Sequence, residues 1–250
     1  DFYRNAGFRL SGEEAGKHRK LNIWELRILC QIVQGGNPSI PEIAYRSGMA
    51  YGTRHSERPY GYPFAVDINW KKYDWEDYLN KISKWKPVQA MVADYEYPEQ
   101  KELMLRQIQD LRDLGIMRIK VCPKFDGAVR DIPEDCIVAI SVPSKYAGFL
   151  AKNVWEYTGR KIHLLGGTPM RQRELISHLN GVGAAVVSVD VNAHETAAKK
   201  GTHYEGGKWR NFGTPADYEN TMIYSGKHIV SEMNAASDIT QMPLWGDERA

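Results

Sequence analysis

Cysteine is scarce in this chain: Cys30, Cys122 and Cys136 are its three thiols, far apart and with no CxxC pair among them. That excludes a disulfide framework and a cysteine-based zinc site, and it fits a reducing compartment. An excess of one charge is missing too. The 33 Lys and Arg against 31 Asp and Glu leave a formal +2, so any affinity for nucleic acid has to come from local patches. No apolar run approaches the roughly 18 residues of a membrane span, and no signal peptide is expected. A cytoplasmic location is expected; Asp1 is an unusual natural start, so a short N-terminal piece is expected before it. With 42% apolar and 26% charged residues over 250 positions, the chain reads as one ordinary globular domain and not as a disordered or fibrous protein.

What the chain does have is a rhythm. The stretch to residue 62 is irregular, an expected part of the same single domain 1–250, with one predicted helix from Leu21 to Val33 stopped by Gly35-Gly36. From Pro63 short apolar runs alternate with amphipathic segments. Strands are predicted at Pro63 to Asn69, Val88 to Glu96, Met117 to Pro123, Cys136 to Pro143, Lys161 to Gly167 and Ala184 to Asp190. Helices are predicted at Asp74 to Trp85, Glu99 to Leu114, Lys145 to Tyr157 and Arg171 to Leu179, and KFDGAVRDIPED is too poor in helix formers to hold one. Such alternation implies parallel βαβ units. A (β/α)8 barrel of the TIM type, irregular in places, leads, and a doubly wound open sheet is second. The first strand has no clear place, and the eighth is sought within Met222 to Val230.

In either architecture chemistry belongs at the carboxyl ends of the strands. Those positions carry Asp67, Asp94, Lys120 or Lys124, Ser141, Gly166-Gly167 and Asp190. Each aspartate can also be read as a helix cap, Asp190 for the segment Asn192 to Lys200. Three carboxylates directly after three apolar runs are better explained by a shared site. Gly166-Gly167 before Thr-Pro is an ordinary strand terminator, yet it also lets backbone approach a flat ligand closely.

These motifs resemble those of the tRNA-guanine transglycosylases. HLLGGTP is similar to a glycine-containing strand end of that family, FAVDINW to the segment with its general-base aspartate, MVADYEYP to the one whose aspartate reads the guanine edge, and VVSVDVN to the one with the nucleophile. They occur in the family's order over roughly half the chain, Pro63 to Gly201. Departures are plain: Asp67 is followed by Ile68-Asn69-Trp70 and not Ser-Gly-Gly, Ser141 stands where a Gly-Gly pair is usual, and Lys120 or Lys124 where a glutamine is. The zinc subdomain has no counterpart, which makes the chain look more like the DpdA-type DNA-guanine transglycosylases of phages and bacteria.

The resemblance implies exchange of guanine in DNA, or less readily in tRNA, for a free 7-deazaguanine or guanine base. Asp190 is then nucleophile and Asp67 general acid/base, with Asp94, Tyr95, Ser141, Gly166, Gly167 and Lys120 around the base; no cofactor or metal is implied. The target nucleotide has to be flipped out or single-stranded. Lys199, Lys200, Lys208 and Arg210, interleaved with Tyr204 and Trp209, form the best local basic patch for phosphates, and equally a solvated loop. His163 and His194 lack partners at ligand spacing and read as structural. Two other classes stay open: a metal-assisted hydrolase or glycosidase built on the same aspartates, and a nucleic-acid-binding barrel without chemistry.

Overall fold

Short strands with buried residues on both faces pair best in a parallel sheet covered from outside, and the computed structural model closes such a sheet on itself. The structure describes residues 28–34, 37–69, 73–143, 148–211 and 217–240, with no side chains from 238 on. Strands β1 (Leu29–Val33), β2 (Ala50–Arg54), β3 (Ala65–Asp67), β4 (Gln89–Met91), β5 (Arg118–Val121), β6 (Ile137–Ser141), β7 (Lys161–Leu165) and β8 (Ala185–Asp190) pair in chain order. The barrel closes where Gln31 of β1 stands opposite Asp190 of β8. Helices α1 (Ile40–Ser47), α2 (Trp75–Trp85), α3 (Lys101–Asp113) and α4 (Pro169–Gly181) follow β1, β3, β4 and β7. After β8 come α5 (Ala193–Lys199), an antiparallel hairpin of β9 (Thr202–Glu205) and β10 (Lys208–Asn211), and α6 (Tyr218–Thr240). Loops with single 3-10 turns, Ala128–Asp131 and Val154–Tyr157, replace helices after β5 and β6. The result is a (β/α)8 barrel, irregular on that side. No helix among the described residues is long and apolar enough to cross a membrane.

One face of each strand packs under the helices, where Ile32, Tyr51, Val66, Ala90, Val121, Ile140, Leu164 and Val189 join the main core. The other face turns inward. Inside, Met91, Cys122 and Ala139 form a small separate apolar group with Leu165 against it. Much of the remaining interior is polar: Gln31, Gln89, Lys120, His163, Ser188 and Asp190 are all buried. Barrels of this type ordinarily fill that space with branched apolar side chains, so the exceptions mark where structure alone does not explain the choice of residue.

Three sequence expectations need correction. Of the helix expected from Leu21 to Val33, residues 21–27 lie outside the described set, while Leu29–Val33 is strand β1. A five-residue segment buried on both faces, apolar except for Gln31, fits either element by periodicity alone. With β1 and β2 both before residue 62, the eighth strand is Ala185–Asp190, and the segment Met222 to Val230 lies within α6. There Met222, Ile229, Met233 and Ala236 are buried at helical spacing. Of the helix expected from Lys145 to Tyr157, residues 145–147 are outside the described set and 148–153 are not helical. Gly148 adopts φ 126°, where a Cβ would stand 2.5 Å from the Pro143 Cα, and the Phe149 amide bonds back to the Ser141 carbonyl.

Candidate active site

Asp190 ends β8 as a buried carboxylate, 6% exposed. It is no cap: Asn192 flanks α5, without a side-chain capping bond, and the Asn192 amide instead ties to the Val33 backbone of β1. The Asp190 Oδ1 accepts a 2.6 Å hydrogen bond from Gln31 Nε2. His163 Nε2 stands 3.3 Å from the same oxygen, and the other ring nitrogen is 2.8 Å from Ser188 Oγ. Gln172 of α4 fixes the backbone from behind, donating at 2.7 Å to the Gly166 carbonyl and at 2.6 Å to that of Asp190. The ends of β7 and β8 are thus held by one amide group.

The glycines make this possible. Gly166 and Gly167 have φ of 65° and 82°, a left-handed region costly for other residues, and a Cβ on Gly167 would lie 2.6 Å from the Val142 Cγ1. The chain then enters α4 through Thr168, whose side chain accepts from the Arg171 amide, with Pro169 at the first turn.

The electrostatics separate the two inner carboxylates. Burial pushes the Asp67 carboxyl up to about 6; Lys120 opposes the rise, the Asp190 charge adds to it, and Arg54 opposes it again. Burial also pushes Asp190 upward, but the nearby His163, the Lys120 ammonium and the Gln31 hydrogen bond outweigh it and hold this carboxyl below its ordinary value. Burial, reinforced by Lys120, brings the His163 imidazole down to about 4, so it is neutral near pH 7. Asp67 is therefore able to hold or release a proton at pH values where Asp190 is ionised. Lys120 is completely buried, and its Nζ has no hydrogen-bond partner among the described residues.

The other expected site residues are less closely gathered. Asp94, just past β4, pairs with Lys124 at 3.1 Å and borders a cavity of about 100 Å³ with Tyr73, Gln100, Met104 and Gln107. Tyr95, expected around the base, lines the same cavity, yet its ring is buried, edge-on to Phe125, and its hydroxyl donates to Asp131 at 2.9 Å. It is engaged in packing. Ser141 ends β6 half-buried. The basic stretch stands on the outer wall: the Tyr204 amide and hydroxyl bond to Ser225 and Glu232 of α6. Within that stretch Lys199 pairs with Glu195 at 2.5 Å, Arg210 lies 3.6 Å from Glu205, and Trp209 packs edge-on to Tyr204.

His163, read as structural in the sequence, stands against Asp190; Gln31 and Gln172 were not singled out at all. The available signal was a polar residue interrupting a buried strand, as in LCQIV and KIHLL. His194 is buried on α5, apart from these contacts.

A family model described as "Family of unknown function (DUF6610)" matches residues 44–234. Comparison with curated proteins gives no match. Among solved structures, a truncated form of 3-deoxy-D-arabino-heptulosonate 7-phosphate synthase from Thermotoga maritima is similar, with 11% identity, a TM-score of 0.49, and coverage of 86% of this chain and 87% of that one.

Proposed function

The chain belongs to the DUF6610 family, whose function is unknown, and from the chemistry of its site we propose that it is a glycosyltransferase that exchanges guanine in DNA for a free 7-deazaguanine base by double displacement. The observation carrying this reading is the divergence of two carboxylates at the strand ends, the half-buried Asp67 pushed up to about 6 and the buried Asp190 held low. Base exchange with retention needs that division of labour, an ionised nucleophile beside a carboxylic acid with an exchangeable proton. The nucleic-acid substrate and the deazaguanine follow from the resemblance of FAVDINW, MVADYEYP, HLLGGTP and VVSVDVN to the guanine transglycosylases.

In the first displacement an Asp190 oxygen bonds to C1′ as the bond from C1′ to the base nitrogen breaks. The electron pair leaves with guanine, and Asp67 supplies the proton that neutralises it. The incoming base then loses its proton to Asp67 and attacks C1′ as the aspartyl ester breaks. Gln31 holds the nucleophile's Oδ1 and His163 stands beside it. The Asp94 carboxylate accepts from the N1–H and amino group of a guanine-like edge, and Lys124 offers a donor to the neighbouring carbonyl. Gly166 and Gly167 bring backbone close to the flat ring.

The test is incorporation of labelled guanine or 7-deazaguanine into separate DNA and tRNA pools. Incorporation into DNA is expected, with a covalent protein–DNA adduct that can be trapped. Asp190→Asn should reduce exchange by at least about 10³-fold, the scale on which covalent catalysis depends on its nucleophile, while the protein stays folded. Exchange at the wild-type rate by that variant would sink the assignment, and labelling confined to tRNA would move it to the RNA branch of the same chemistry.

A further inference from the structure

Among the interior groups that the exchange mechanism above does not use, Lys120 is the buried cation. Lys120 lies on β5 in register with Met91 of β4 on one side and Ile137 of β6 on the other, neither of which carries charge. Taking a cation out of water costs several kcal/mol unless a close partner compensates. In a structural ion pair the ammonium closes to hydrogen-bond distance, and removing either member leaves the other stranded. Lys120 has not closed: the Nζ makes no hydrogen bond among the described residues. Yet it is the largest influence on Asp67 after burial, and it acts on His163 and Asp190 as well.

Groups of both signs face this position from several strands. Asp67 comes from β3, His163 from β7 and Asp190 from β8; Arg54 of β2 adds its charge at Asp67, Arg118 of β5 adds one at His163, and Gln31 of β1 binds Asp190. Asp190, His163 and Lys120 are buried and Asp67 is half-buried beside them, and like charges so placed drive at least one of the two carboxyls to take up a proton. A cation among them lowers the cost of ionising both. Because it hydrogen-bonds to neither, it occupies no carboxylate oxygen beyond the Asp190 Oδ1 that Gln31 and His163 already face, and it leaves the Asp67 proton free to move.

We propose that Lys120 is a positioning residue for the reaction, a buried counter-charge that faces Asp67 and Asp190 together and keeps the barrel interior able to hold two carboxylates in different charge states. The assignment of a reaction rests on the glycosyl-transfer reading, whereas the counter-charge itself is measurable without it. A lysine that touched the base or sugar would change binding when replaced; a counter-charge changes the ionisation of its neighbours and leaves base affinity alone.

The experiment titrates the side-chain carboxyls of Asp67 and Asp190 by carbon NMR in the wild type, Lys120→Met and Lys120→Arg, and records the pH profile of guanine exchange for the same proteins. Methionine keeps the length and volume of the stem, and arginine keeps the charge if the methionine variant misfolds. In Lys120→Met both carboxyls should titrate higher, Asp67 by about one unit or more, the size of an opposite charge removed within several ångströms. The exchange profile should move to higher pH by the same amount with KM for the base unchanged. Lys120→Arg should restore most of the shift. Carboxyl titrations unmoved in Lys120→Met would overturn the proposal, as would a profile that stays in place while KM rises. Shifted carboxyls together with no exchange by the wild type would uphold the counter-charge and overturn glycosyl transfer.

Discussion

At the mouth of the barrel Asp94 and Lys124 close to 3.1 Å with side chains 16% and 26% exposed, whereas inside it Asp67 and Asp190 share Lys120 without a hydrogen bond to its Nζ. The residue types are the same, and the difference lies in the backbone and in water. Past the end of β4 the chain is free enough for two side chains to meet, and solvent screens what the pair does not satisfy; such pairs contribute about 0–1 kcal/mol. Within the barrel, strand register fixes the side chains before any pairing can. Asp67 stands opposite Arg54 and Lys120 between Met91 and Ile137. Unscreened charge held at set positions appears as altered proton affinity, and altered proton affinity is what acid/base chemistry uses.

The largest expected effect is a pair of opposed stability slopes. Asp67 titrates at about 6 when folded, against 3.8 ordinarily. The native state therefore keeps a proton that the unfolded chain loses, and stability falls as pH rises through this window. His163 titrates at about 4 when folded, against 6.5 ordinarily. Here the unfolded chain gains a proton that the native state refuses, and stability rises with pH. Between about pH 4 and 6 the two slopes offset each other in the wild type, each amounting to at most about 3 kcal/mol. Asp67→Asn should leave a protein whose urea midpoint increases from pH 4.5 to 6.5; His163→Gln should leave one whose midpoint decreases. Slopes of the same sign in both variants would break the contrast between interior and mouth.

How much of this was legible in the sequence depends on parity. Six strands from Pro63 onward announce themselves as apolar runs, and an aspartate at the end of such a run is visible without coordinates, as Asp67 and Asp190 are. Strand β1 was not, because a fully buried parallel strand has no alternation to distinguish it from a buried helix. That one misreading concealed Gln31, which as a helical residue would face nothing in particular and as the centre of β1 binds Asp190. His163 was visible, but its meaning depends on β7 and β8 being neighbours with Ser188 opposite it, which is a tertiary fact. Tyr95 is the reverse case: its place beside Asp94 was visible and it lines the same cavity, while its packing against Phe125 and its bond to Asp131 are tertiary facts.

A smaller effect tests the mouth. Lys124→Met should change folding stability by no more than about 1 kcal/mol, as a partly exposed pair should. Asp94→Ala should weaken binding of the free base by about 1–3 kcal/mol, the scale of losing a charged hydrogen-bond acceptor, while affinity for DNA barely moves. Calorimetry with guanine and with an oligonucleotide separates the two. Equal losses for both ligands would make Asp94 a structural partner of Lys124 and leave base selection to other residues.

The smallest effect lies on the outer wall, where the same logic of paired and open charge applies without burial. Lys199 and Arg210 already face Glu195 and Glu205, while Lys200 and Lys208 are exposed and form no ion pair among the described residues. An ammonium engaged by a carboxylate releases few counterions from a phosphate, since it has to exchange one partner for another; a free one releases about one per contact. Lys200→Ala and Lys208→Ala should therefore each lower the slope of log affinity for single-stranded DNA against log salt by about one, uniformly across sequences. Lys199→Ala and Arg210→Ala should change it less. If all four substitutions leave the slope where it was, this basic stretch does not contact the nucleic acid.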